Sequence, residues 1–212
     1  MAERALPLAP HGWRPNGANL LLFGVTAAEL AFLVAVTPSF GFVDWIYVLQ
    51  HVVVLCVALV RRRPAAQDHS IATSAAVTIA YGYPYAQAIY LQRVPGTPVW
   101  PGAGATLVIA AACLSLGTLG VLGKRFGVRP ALRGLEMRGP YRFIRHPMYL
   151  SYVVADVGYN LEEWNGGTVL LVLAGWASLI YRIRREERVL AHDERWPAYA
   201  ESVRYRILPG VW

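Results

Sequence analysis

Residues 139–154 read GPYRFIRHPMYLSYVV, and in this stretch a charged segment meets an apolar segment without a linker. Pro147 suits the first turn of a helix, because the N–H that it lacks is not needed there and its φ angle is already helical. A proline also biases the residue before it, here His146, away from helical geometry. The stretch therefore predicts a loop that ends where a helix starts.

The first turn of such a helix favours an anion, because its free N–H groups point outward in the positive end of the helix dipole. Arg142, Arg145 and His146 add donors beside this turn. Arginines alone would be explained by contact with lipid headgroups. Their combination with His146, Pro147 and Tyr149 favours a binding site for a carboxylate or phosphate.

The apolar side of the stretch is typical of the whole chain. Hydrophobic residues make up 56% of the sequence, charged residues only 16%, and the mean hydropathy is +0.37. A water-soluble domain of 212 residues needs more polar surface than this. Cys56 and Cys113 each lie within an apolar run, where they pack as small hydrophobic residues and indicate neither a disulfide nor a metal site. We predict an all-α integral membrane protein.

Six apolar segments can be marked, and a spanning helix needs about 20 such residues. The segments are 19–37, 42–60, 71–92, 103–123, 148–161 and 167–181. The fifth would cover only about 21 Å as a helix, so it must include Glu162, Glu163 and Trp164 or turn before it crosses. The short connection NLEEWNGG predicts that the last two helices form a hairpin.

The basic residues predict the orientation. If all six segments cross and the N-terminus is cytoplasmic, every one of the 20 Lys and Arg residues except Arg93 lies on the cytoplasmic side. This distribution accounts for the net charge of +7 without a nucleic-acid partner. We expect a cytoplasmic segment at 1–18, which lacks the apolar core of a signal peptide, membrane helices at 19–102, and a functional region with a cytoplasmic C-terminus at 103–212. The Ala, Arg and Gly content favours a bacterial inner membrane.

A second charged cluster follows the sixth segment. The helix is predicted to continue as far as Arg195, because Pro197 breaks the pattern. Arg182 and Glu186 have the spacing of an exposed ion pair, which is the plain structural interpretation. In an antiparallel hairpin, however, His146 and Glu187 would be neighbours. Donors on one helix and carboxylates on the other suit a zwitterionic, nucleoside-type ligand.

The stretches GKRFGVRPALRGLEMRGPYRFIRHPMYLS and EERVL…WPAYAESVRYRILP resemble the isoprenylcysteine carboxyl methyltransferase and phospholipid N-methyltransferase superfamily. Its members are membrane enzymes that use S-adenosylmethionine, and the resemblance covers residues 104–210. Ser151 stands where the family usually has glycine. By resemblance, the cofactor-binding residues are Gly139, Tyr141, Arg145, His146, Pro147, Tyr149, Glu186 and Glu187.

Methyl transfer from a sulfonium is an in-line displacement, which requires alignment of the reactants and exclusion of water. We expect Arg145 and His146 to hold the methionine carboxylate, and Glu186 or Glu187 to hold the amino group or the ribose hydroxyls. Asp156 is predicted to lie within the membrane, where a carboxylate is functional by default. Arg145, Glu187 and Asp156 are therefore the catalytic candidates, although Asp156 would also suit a hydrogen bond between helices.

The acceptor is expected to be a small lipophilic molecule or lipid that enters from the bilayer and offers a carboxylate, an amine or another head group. Glu29 and His51 are further polar candidates for contact with it. An NADPH-dependent sterol-type reductase and a non-catalytic membrane scaffold of the same fold are the alternatives. No metal is predicted.

Overall fold

The computed structural model describes residues 17–36 and 42–212, and this part of the chain is mostly helical. The rest of the predicted N-terminal segment and the connection at 37–41 lie outside the described residues. A two-residue strand pair, β1 (Ala66–Gln67) with β2 (Ala131–Leu132), interrupts the all-α architecture. The helices are α1 (Gly17–Val36), α2 (Phe42–Val60), α3 (Ile71–Arg93), α4 (Pro101–Leu122), α5 (Pro147–Glu162), α6 (Gly166–Leu190) and α7 (Trp196–Ser202).

The surface of the helices has the character of a membrane protein. Among the described residues, Pro101–Arg125 and Gly166–Leu190 are long and apolar enough to cross a bilayer, and Leu22–Ala35 and Val48–Val60 are shorter apolar helices. Large apolar side chains are exposed along α6, including Leu170 at 69% and Leu173 at 52%. Such surfaces are unfavourable in water and suit contact with lipid. Six complete crossings and the orientation of the termini remain predictions.

The loops gather at two opposite ends of the helices. At one end, β1 pairs with β2 in antiparallel register, Ala66 opposite Leu132, which joins the segments 61–70 and 126–146. At the other end, a bridge between Thr97 and Trp164 joins the two short connections. The charged motifs therefore share one end of the molecule.

Asp68 links α6 to the loops at the end of the molecule that carries the charged motifs, which we call the charged end. Its carboxylate accepts a hydrogen bond from Arg185 Nε at 2.6 Å and another from the Thr73 hydroxyl at 2.6 Å. The Arg185 guanidinium, with Thr73 and Ser70, holds the pKa of Asp68 well below its usual range. The loop before α3 is thus fastened to the last turns of α6.

Helix α5 begins at Pro147 and ends at Glu162. Of Glu162, Glu163 and Trp164, which the short fifth segment was expected to include if it crosses the membrane, the helix includes only Glu162. It packs most extensively against α4, while α6 packs most extensively against α3. Three pairs of side chains form hydrogen bonds between α5 and α6. The residue numbers of these pairs rise along α5 and fall along α6, so the two helices run in opposite directions. The pairs are Tyr149 with Glu186, Asp156 with Trp176, and Asn160 with Thr168.

Helix α6 ends at Leu190, so the prediction that it continues to Arg195 is wrong. The Asp193 carboxylate accepts the Arg195 backbone N–H at 3.1 Å and the Arg195 guanidinium at 2.7 Å. A side chain that satisfies a nearby backbone N–H favours a turn over a helix. Pro197 then lies in the first turn of α7 and does not end the preceding helix.

Candidate functional site

The turn before α5 depends on Gly139. This residue has a φ angle of +56°, which side chains rarely tolerate. A Cβ atom there would also lie 3.0 Å from the Val121 side chain. The turn buries Tyr141, whose backbone oxygen accepts a hydrogen bond from the Tyr199 hydroxyl at 2.8 Å. Burial raises the pKa of Tyr141.

The C-terminal segment covers the start of α5. The backbone N–H of Arg145 donates to the Tyr205 oxygen at 2.9 Å, and that of His146 donates to the Arg206 oxygen at 2.8 Å. These two donors, which precede the proline, are therefore occupied by the chain itself. An anion at this place therefore cannot be held by these two N–H groups.

Glu187 is surrounded by basic side chains. Its carboxylate lies 2.9 Å from an Arg145 nitrogen, 2.9 Å from Arg206 Nε and 3.4 Å from His146 Nε2. The predicted proximity of His146 and Glu187 is confirmed. Arg206 was not foreseen; its guanidinium also lies 5.0 Å from the centre of the Trp212 ring. Glu187 thus fastens the C-terminal segment to the motif before α5.

Glu186 points in a different direction. It accepts a hydrogen bond from the Tyr149 hydroxyl at 2.9 Å. Arg182, one turn earlier, is only 4% exposed, lies 5.1 Å from the centre of the Tyr149 ring and donates to the Val128 oxygen at 2.9 Å. The interpretation of Arg182 as one half of an exposed ion pair is therefore wrong. The sequence gives no signal for this burial, because Arg182 directly follows the apolar segment 167–181.

A cavity at the charged end, which we call the motif cavity, lies between the segment 122–149 and the ends of α6 and α7. Gly139, Pro147 and Glu187 are outside its lining, and they shape the wall from behind. The predicted site residues that line it are Tyr141, Arg145, His146, Tyr149 and Glu186.

The motif cavity is rich in arginine. The arginines that line it in addition to Arg145 are Arg125, Arg129, Arg133 and Arg182. Burial and the nearby charge of Arg61 lower the pKa of Arg133 to about 10, so this side chain stays protonated at neutral pH. Sequence reasoning missed Arg133 because nothing in its spacing links it to the motif.

Three arginine nitrogens in this cavity are left open. Buried Nε atoms without a hydrogen-bond partner, among the residues that the structure describes, belong to Arg125, Arg145 and Arg182. An unsatisfied buried donor on a charged group is costly. The three nitrogens are therefore places where an anionic ligand group would be stabilised.

A second cavity, which we call the membrane cavity, measures about 170 Å³ and lies among the helices. Thr26, Glu29, Gln50 and His51 contribute polar groups to its lining. The two cavities are adjacent, because several residues line both. The shared residues are Tyr81, Phe126, Met148, Tyr152 and Arg182.

Asp156 lies apart from the lining of both cavities. Its carboxylate accepts hydrogen bonds from the Tyr83 hydroxyl at 2.8 Å and from Trp176 Nε1 at 2.7 Å, which joins α3, α5 and α6. This placement favours the structural role over the catalytic one. The Ser151 hydroxyl donates to the Met148 backbone oxygen at 2.7 Å and is thus satisfied within its own helix.

Comparison with known proteins agrees with this geometry. The model of the isoprenylcysteine carboxyl methyltransferase family matches residues 104–192, which run from the first turn of α4 past the end of α6. No curated protein matches the chain in a sequence search. The matched segment contains both the Arg-His-Pro motif and the glutamate pair. The segment that forms most of the motif cavity is therefore the one that matches the isoprenylcysteine carboxyl methyltransferase family.

Proposed function

We propose that this protein is a membrane methyltransferase that uses S-adenosylmethionine and acts on a small lipophilic acceptor. One observation carries the proposal: the cavity lined by the family motif adjoins a second cavity among apolar helices. The family match supports a membrane methyltransferase in general. The adjoining cavities supply separate places for a polar donor and an apolar acceptor.

The residues of the motif cavity fit the cofactor. S-adenosylmethionine supplies a methyl group on a positively charged sulfur, together with a carboxylate, an amino group and an adenosine. The open Nε donors of Arg145 and Arg182 would hold the carboxylate. Glu186 would accept from the amino group or the ribose hydroxyls, and the Trp196 ring offers an apolar face to the base. Glu187, which is outside the lining, supports Arg145 and also contacts His146.

Positioning and water exclusion are the tasks left to the protein. The Tyr149 hydroxyl orients Glu186, and the ring of Tyr149 supports the Arg182 guanidinium. Phe126 and Met148 line both cavities, and their apolar side chains exclude water from the junction. An acceptor in the membrane cavity would therefore reach the donor through a largely apolar junction.

Binding of S-adenosylhomocysteine to the purified protein, measured by calorimetry, tests the proposal. A hydrogen bond to a charged group contributes about 1.5–3 kcal/mol, so Glu186→Gln should weaken binding by about 10-fold to 100-fold. Glu201→Gln, an exposed change on α7, is the matched control and should leave affinity unchanged.

Failure of the wild-type protein to bind S-adenosylhomocysteine would overturn the proposal. NADPH serves as the competing ligand in the same experiment, and preferential binding of NADPH would favour the reductase. Absence of binding by either ligand would favour a non-catalytic scaffold.

A further inference from the structure

We propose that the motif cavity binds a phosphate group at a cluster of three arginines, Arg125, Arg129 and Arg133, which we call the arginine wall. This place is separate from the one proposed for the carboxylate of the cofactor. The phosphate site goes beyond the proposed function, because it stands on the charges of the cavity whether or not S-adenosylmethionine binds there. Only its effect on cofactor binding rests on the proposed function.

Two glycines make room for the arginine wall. A Cβ atom on Gly134 would lie 3.3 Å from Arg125 Nε, and a Cβ atom on Gly127 would overlap the Arg133 guanidinium. Gly134 directly follows Arg133, and Gly127 follows Arg125 by two residues. The two guanidinium groups therefore lie on neighbouring stretches of chain, and both line the same cavity.

The arginine wall lacks counter-charges of its own. Arg133 is only 7% exposed, and its Nε donates to a backbone oxygen at 3.2 Å. Arg129 donates to the Ser74 hydroxyl at 2.5 Å. Within 17–36 and 42–212, the ranges that the structure describes, neither Arg129 nor Arg133 forms an ion pair. A buried charge without a partner is costly, so the wall favours an anion.

The cavity as a whole carries an excess of positive charge. Two glutamates face five arginines in its lining. Glu136 is already shared between two arginines, and Glu186 acts electrostatically on both Arg133 and Arg182 and cannot balance both. S-adenosylmethionine does not remove the excess, because its ammonium and sulfonium groups outweigh its carboxylate. A second, anionic ligand group is therefore needed.

A phosphate group suits this excess better than a carboxylate. A phosphate monoester carries a charge of about −1.5 to −2 at neutral pH and offers three strong acceptor oxygens, whereas a carboxylate carries a single charge. Guanidinium groups bind such oxygens through paired N–H donors. The open Nε of Arg125 and the unpaired guanidinium of Arg133 would supply these donors.

The position of the arginine wall makes a lipid headgroup one source of the phosphate. Arg125 ends the apolar stretch Pro101–Arg125, so the wall lies at the level where headgroups would surround the helices. Its side chain is 26% exposed, so the wall is open at its edge. Free phosphate would reach the same groups from solution. None of the three arginines lines the membrane cavity, so the phosphate does not occupy the place proposed for the acceptor.

Thermal unfolding of the full protein in dodecyl maltoside, a detergent without phosphate, tests the site directly. A ligand that binds the folded state raises the unfolding temperature. We expect phosphatidic acid to raise this temperature, while diacylglycerol and chloride at equal ionic strength do not. A response to phosphatidic acid alone identifies a lipid headgroup as the source, and a response to inorganic phosphate as well identifies free phosphate. A response to neither would overturn the inference.

Variants separate phosphate binding from folding. Arg133→Gln should raise the half-saturating concentration of the effective phosphate at least 10-fold, whereas Arg133→Lys keeps the charge and should retain most of the response. Arg63→Gln, which removes an exposed arginine at the same end, is the matched control and should respond as the wild type does. Arg129→Gln, on the more exposed part of the wall, serves if Arg133→Gln does not fold. An unchanged response in the folded variants of the wall would contradict the proposal.

Cofactor binding distinguishes this inference from the proposed function. A bound phosphate favours a cationic ligand, so S-adenosylmethionine should bind at least 5-fold more tightly in its presence. S-adenosylhomocysteine lacks the sulfonium charge and should change less. An unfolding shift with no change in S-adenosylmethionine affinity would place the phosphate outside the cavity and overturn the inference. Failure of both compounds to bind would refute the proposed function, and the unfolding shift would still decide the phosphate site.

Discussion

At the scale of single residues, the glutamate pair shows how neighbours on one helix take different tasks. Successive residues of an α-helix point about 100° apart. Glu186 therefore lines the motif cavity, whereas Glu187 contacts Arg145, His146 and Arg206 behind it. The resemblance assigns both residues to the cofactor. In the proposed arrangement, Glu186 binds the cofactor directly and Glu187 supports the site.

Glu187→Gln should loosen the C-terminal segment. Removing one partner of a largely buried ion pair costs about 3 kcal/mol, because Arg145 and Arg206 would lose their shared carboxylate. Hydrogen exchange at the backbone amides of Arg145 and His146, which donate to the segment, should become about 100-fold faster. Glu186→Gln should leave this exchange rate unchanged. Identical rates in the two variants would show that Glu187 does not hold the segment.

At the scale of elements, the crossing of α4 and α5 sets the position of the motif. The two helices approach closely where glycines face each other, as is common between membrane helices. A Cβ atom on Gly158 would lie 2.9 Å from the Gly104 backbone oxygen and 2.8 Å from the Val108 side chain. The close contact holds α5, which carries the motif at its start, against α4.

Gly158→Ala should therefore destabilise the protein. Backbone atoms of α4 cannot move aside cheaply, and overpacking of this kind costs about 1–3 kcal/mol. The measurement is unfolding in detergent by denaturant titration. Gly117→Ala is the matched control, since a Cβ atom at Gly117 of α4 meets nothing within 4 Å. Equal stability of the two variants would show that the crossing tolerates a wider separation.

At the scale of the whole molecule, the two ends differ in chemistry. The charged end holds both strands, the ion pairs of Glu136 with Arg125 and Arg138, and the motif cavity. The other end has short connections that meet at Thr97 and Trp164. A charged end on the cytoplasmic side agrees with the excess of basic residues there.

Labelling with a membrane-impermeant maleimide tests this orientation. In a background with Cys56→Ala and Cys113→Ala, Val99→Cys should react in intact spheroplasts. Glu201→Cys should react only after the membrane is permeabilised, because α7 lies at the charged end. The background protein should stay unlabelled. Reaction of Glu201→Cys in intact spheroplasts would place the motif cavity outside the cell and contradict the predicted topology.

Much of the fold can be predicted from local features of the chain. Long apolar runs predicted a helical membrane protein, and Pro147 predicted where α5 starts, because both depend on neighbouring residues alone. The end of α6 was misplaced because the pattern leading to Pro197 outweighed the turn that Asp193 stabilises. The helices α1 to α3 carried no recognisable motif, so the contribution of Thr26 to the membrane cavity was not visible.

The sequence by itself determined the class of the protein, the start of α5 and the residues of the family motif, since hydropathy and proline geometry act over short distances. Only the tertiary structure decided which glutamate faces the cavity, that residues 205 and 206 cover the start of α5, and that α1 contributes Thr26 and Glu29 to a second cavity. These outcomes depend on contacts between residues far apart in the chain. Such contacts are set by packing and charge pairing in three dimensions, which no local pattern encodes.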